Sequence, residues 1–115
     1  MTIIDADTVR RLAVAVDAAP SVVSRSAGRF GGVAAYLPGE RVVGIRRTEA
    51  GRWEVHVVMA IDSTVSLVEA DVLGAAQSVG LTEPVDLFVV DIAERQGELP
   101  PGSDQVDRLL PGAAL

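Results

Sequence analysis

Two places in this 115-residue chain carry residue types that could do chemistry. The first is "EVH" at 54–56, where the sole histidine, His56, sits two positions from Glu54. A histidine beside a carboxylate could act as a general base. On alternating backbone it could equally be a partly covered strand residue. No serine lies near it in sequence and no G-x-S-x-G elbow is present, so catalysis at His56 is not expected. The second place is "GRFGGVAAYLPGERVVGIRR", residues 28–47. Its glycines and arginines raise three readings: a phosphate cradle, an RNA clamp, or a shaped connection.

The phosphate cradle fails first. A P-loop needs Lys and Ser/Thr after its last glycine, and the chain contains no lysine. The dinucleotide pattern G-x-G-x-x-G is also missing. "GRFG", 28–31, matches the GXXG of a KH loop literally, with a basic residue inside. That loop joins two helices, whereas the residues before Gly28 read as a strand. Turn glycines explain the pattern more cheaply. Asp5 with Asp7, and Asp86 with Asp91, fall in no calcium-loop pattern. With no cysteine, disulfides and thiolate metal sites are excluded, and with one histidine a classical zinc site has almost no ligands. No cofactor and no metal are expected.

Composition bounds the rest. Hydrophobic residues make up 49% and mean hydropathy is +0.33, which suits one small folded domain. The net charge of −6 disfavours nonspecific nucleic-acid binding. It is uneven: residues 1–52 balance at +3 and residues 53–115 at −9. No basic start with an apolar stretch opens the chain, and no apolar run reaches a membrane span. The expectation is a cytoplasmic protein.

The elements that must position these residues follow from periodicity. Residues 5–18 predict a helix with Val9, Leu12, Ala13 and Val16 on one stripe, Asp5 as its cap and Pro20 as its end. Strands are expected at 21–26, 41–47, 52–61 and 84–92. In the third, Trp53, Val55, Val57, Met59 and Ile61 take one face and Glu54, His56, Val58 and Ala60 the other. Asp62 or Ser63 should start a second helix, about 64–79, stopped by Gly80. Its stripe is Val65, Val68, Val72, Ala75, Ala76 and Val79, and Gly74 suggests close packing. The order α-β-β-β-α-β predicts an α+β, two-layer sandwich. Two helices would pack on one face of a three- to four-stranded mixed sheet.

Residues 1–92 make the expected domain. Residues 93–115 read as a polar tail, with a short helix at 103–110 whose Val106, Leu109 and Leu110 share a face. In the last strand Val85, Leu87 and Val89 should face the helices. Phe88, Val90 and Ile92 would then lie on the outer face with Val58. An open face should be polar, so this apolar one implies a cover: the tail, or a second copy in a homo-oligomer.

The stretch "GRFGGVAAYLPGERVVGIR" followed by "WEVHVVMAI", a helix and "PVDLFVVDI" resembles the alkaline-shock or general-stress protein family, in its small actinobacterial form. The resemblance covers about residues 6–92. It implies a small α+β domain with no established catalytic residues and a link to the cell envelope. It also implies a small membrane-anchored protein as a partner and assembly into larger objects. Here Phe88 and Val90 stand where family members are more polar, which points to altered self-association or partner contact. On this reading the Gly-rich stretch is a shaped connection anchored by Phe30, Tyr36 and Leu37, with Arg29, Arg41, Arg46 and Arg47 lining a surface for an acidic partner or anionic headgroups. The function expected is a non-enzymatic envelope-stress scaffold or adaptor, peripheral at the inner face of the membrane. The alternative is a small RNA- or nucleotide-binding module using the Gly28–Gly32 loop and its arginines.

Overall fold

The computed structural model describes residues 6–94. Asp5 and the tail residues Val106, Leu109 and Leu110 lie outside the described residues. The first helix, α1, spans Ala6–Asp17 and buries the expected stripe of Val9, Leu12, Ala13 and Val16. Five strands follow: β1 (Val22–Arg25), β2 (Ala34–Leu37), β3 (Glu40–Val43), β4 (Ile45–Arg47) and β5 (Trp53–Ala60). The second helix, α2, spans Val65–Ser78, and β6 spans Val85–Ala93. The fold is α+β, with the expected order extended by extra strands between the helices.

β5 is the spine. Its register puts β1 (opposite Val57–Met59) and β4 (opposite Trp53–Val55) end to end along one edge, both antiparallel. β6 runs parallel along the other edge. Trp53, Val55, Val57 and Met59 are buried with the stripes of both helices and form the core. Ile61 lies past the strand end and is exposed.

The helix starts and stops have local causes. Thr64 caps α2, its hydroxyl accepting from the Leu67 N–H at 3.2 Å. At the other end the Gly80 and Leu81 N–H groups donate to the Gln77 and Ala76 carbonyls, which closes the helix. Val68, Val72, Ala75 and Ala76 are buried as expected, but Val65 is exposed. Gly74 faces open space, so close packing does not account for it.

The expected strand 41–47 is broken in two. Gly44 has φ of +86° and turns the chain out of β3, which pairs with β2 as a separate hairpin, and into β4. A Cβ there would lie 2.8 Å from Arg25 Cβ and 3.0 Å from the His56 carbonyl oxygen. The His56 N–H donates to the Gly44 carbonyl and its carbonyl accepts from Ser26 N–H, both at 2.8 Å. Gly44 therefore sits where β1 and β4 meet on the edge of β5, and only a residue without a side chain fits.

Candidate functional site

The outer face of the sheet, away from the helices, brings together most of the residues singled out by the sequence. His56 and Phe88 are opposite each other in the parallel ladder. Their rings stack with centroids 4.4 Å apart and planes 15° off parallel. His56 Nε2 lies 3.2 Å from Glu54 Oε1, and Arg46 donates to the same oxygen at 2.7 Å. A carboxylate only accepts, so Nε2 carries the proton and Nδ1 holds the lone pair of the neutral ring. That lone pair has no partner among the described residues. It faces Gly28, where an added Cβ would lie 3.6 Å from it and 2.8 Å from Val33. Phe88 stacks on the ring and Gly28 lies beside Nδ1, leaving His56 9% exposed. The nitrogen of His56 that could take up a proton is buried, with Gly28 beside it. Nearby, Ser26 Oγ accepts from the Gly28 N–H.

Burial works to raise the Glu54 pKa, but hydrogen bonds from Arg46 and His56, together with the charge of Arg46, prevail and hold its carboxyl below the usual range. Asp86, next to Glu54 across the ladder, takes two bonds of 2.7 Å from Arg52. That hydrogen bond chiefly keeps its pKa low. On the helix side, Glu83 accepts from Trp53 Nε1 and from Arg47, each at 3.1 Å, which lowers its pKa too, the Trp53 bond contributing most.

Past the His56–Phe88 stack the outer face becomes a groove of about 600 Å³. Val58 lies on its floor. Ser26, Gly28 and Arg29, continuing from β1, form one wall, and Phe88, Val90 and Asp91 of β6 form the other. Phe88 and Val90 are exposed, as expected. Ile92 corrects the expectation. Val57 pairs with Val89 but Val58 pairs with Asp91, so β6 holds one extra residue, Val90. The bulge reverses the side-chain phase. Asp91 joins the outer face with Val58, and Ile92 moves to the side of Met59, half-exposed there.

The Gly-rich stretch departs from its expected anchoring. Leu37 is buried, but Phe30 is 94% exposed and Tyr36 70%. β2 was hidden in this stretch, and alternation along it turns Tyr36 outward between buried Ala35 and Leu37. Gly28–Gly32 joins β1 to β2, not two helices. Nor do the four arginines share one surface. Arg46 and Arg47 lie on opposite faces of β4, the first on Glu54 and the second over the Trp53 ring and on Glu83. Arg41 donates to the Gly31 carbonyl. Only Arg29 has no hydrogen bond or ion pair with a described residue, and it lines the groove.

Among the described residues no cluster of metal-ligating side chains occurs and no helix is long and apolar enough to cross a membrane. Compared with family models, curated proteins and solved structures, the chain matches none.

Proposed function

We propose that the protein is a non-enzymatic scaffold or adaptor of envelope stress, acting through protein–protein contacts at the inner face of the membrane. The observation that carries this reading is the groove. An exposed phenyl ring and two valines line an open sheet face, where solvated strands are normally polar. The covered state of His56 agrees with a contact surface rather than a reaction centre. The resemblance to alkaline-shock proteins supplies the envelope setting and the class of partner, a small membrane-anchored protein. RNA or nucleotide binding has less support, because Arg41, Arg46 and Arg47 are already bonded to groups of this chain.

The test is capture from native membranes. Wild-type chain should retain a small membrane protein, and Phe88→Glu should lose it while remaining folded. A salt-dependent shift with RNA that Arg29→Ala abolishes, with no membrane protein retained, would favour the RNA-binding alternative.

A further inference from the structure

We propose that the groove over Val58 is covered by a second copy of this chain, in a two-fold pair where Arg29 of each copy meets Asp91 of the other. The proposal rests on the contact-module reading: the groove itself goes to the second copy, and the membrane-anchored partner meets the pair.

Three observations carry it. The first is apolar. Phe88 and Val90 are 41% and 39% exposed around Val58, and leaving such side chains in water forgoes burial free energy. The second is the placing of charge. Every other described arginine reaches a carboxylate or a carbonyl, whereas Arg29 reaches none. Asp91 accepts from the Ile92 N–H at 2.8 Å and forms no ion pair among the described residues. These two side chains stand on opposite walls of one groove, because β1 and β6 flank β5 on opposite edges. Take a two-fold axis lying in the interface and parallel to β5 at Val58. Rotation about it lays the Arg29 wall of one copy over the Asp91 wall of its mate, twice. Isologous contacts require a surface that complements itself in this way. A foreign partner needs no such pairing of opposite signs.

The third observation removes an objection. Copies of net charge −6 repel each other. Yet on this face Arg29, Arg46 and Arg52 offset Asp91, Glu54 and Asp86, so the surfaces that meet are locally neutral. The acidic excess lies elsewhere.

Charge exchange in the full-length chain tests the pairing, read by sedimentation velocity over a wide concentration series. Arg29→Asp and Asp91→Arg should each raise the dimer dissociation constant about tenfold or more, since each sets like charges across the axis. The double variant should return to within about threefold of wild type. Both positions are exposed, and circular dichroism verifies that the variants fold. A wild-type chain that stays monomeric overturns the pairing, whether its own residues 95–115 or a foreign protein fills the groove. So does a dimer indifferent to both single changes, or a double variant no better than the singles. Membrane capture is a separate readout. Capture by a monomer sinks the pairing and spares the adaptor reading, and a rescued dimer that captures nothing does the reverse.

Discussion

His56 and Phe88 stack face to face across the β5–β6 ladder, 4.4 Å between centroids, and this contact joins the polar end of the outer sheet face to its apolar groove. Glu54 and Arg46 lie on one side of the stack and Val58 on the other. Phe88 therefore serves twice: as a lid on a buried imidazole and as a groove wall. Phe88→Ala should cost about 1–2 kcal/mol, the sum of a ring pair and a half-buried side chain. Phe88→Tyr should cost less, because it keeps the stacked ring. Urea midpoints at high dilution decide this. An unchanged midpoint for the alanine variant would mean that the stack contributes nothing.

Gly44 makes the sharpest stability prediction. Gly44→Ala combines positive-φ strain with a Cβ driven to 2.8 Å from Arg25 Cβ and 3.0 Å from backbone oxygen. The expected loss is about 3 kcal/mol or more. Gly39 has φ of +73° but open space around it, so Gly39→Ala isolates the strain alone, about 1 kcal/mol. Equal losses in thermal or urea unfolding would show that the close approach at Gly44 relaxes at no cost.

Tyr36→Ala should change stability by no more than about 0.5 kcal/mol, as is usual for an exposed strand residue. A drop of several kcal/mol would place the ring in a core. The case shows what the sequence made legible. Both helices and β5 were readable, because their apolar residues repeat at 3.6 or 2 over eight residues or more, and β6 was readable as a short apolar run after Pro84. The hairpin was not. β2 and β3 have four residues each, and "VAAYL" has small side chains on both faces, so no alternation marks it. The break at Gly44 was invisible for a different reason. A glycine in a strand signals a close approach, but its partners Arg25 and His56 are far away in sequence. The groove was half legible. Phe88 and Val90 were found by alternation. The bulge that swaps Ile92 for Asp91 depends on pairing with β5, which no local pattern encodes. The neutralisation of Arg46 and Arg47 depends on Glu54 and Glu83 for the same reason.

Acid should destabilise the fold, and Glu54 should account for much of the loss. Its folded pKa lies below its unfolded value of about 4.3. A depressed carboxylate stabilises the fold fully above the unfolded pKa, and that contribution disappears as pH falls through the folded pKa. Glu83 and Asp86 are shifted in the same direction and act in the same window, though their ion pairs are more exposed and weaker in effect. Stability from urea unfolding should therefore be flat near neutrality and fall below about pH 4–5. Glu54→Gln should lower the neutral plateau, since Arg46 and His56 both lose their charged acceptor. The same variant should show a shallower acid limb. Parallel limbs for wild type and Glu54→Gln would mean that the Arg46–Glu54–His56 cluster is not coupled to folding, and that the polar end of the outer face contributes geometry alone.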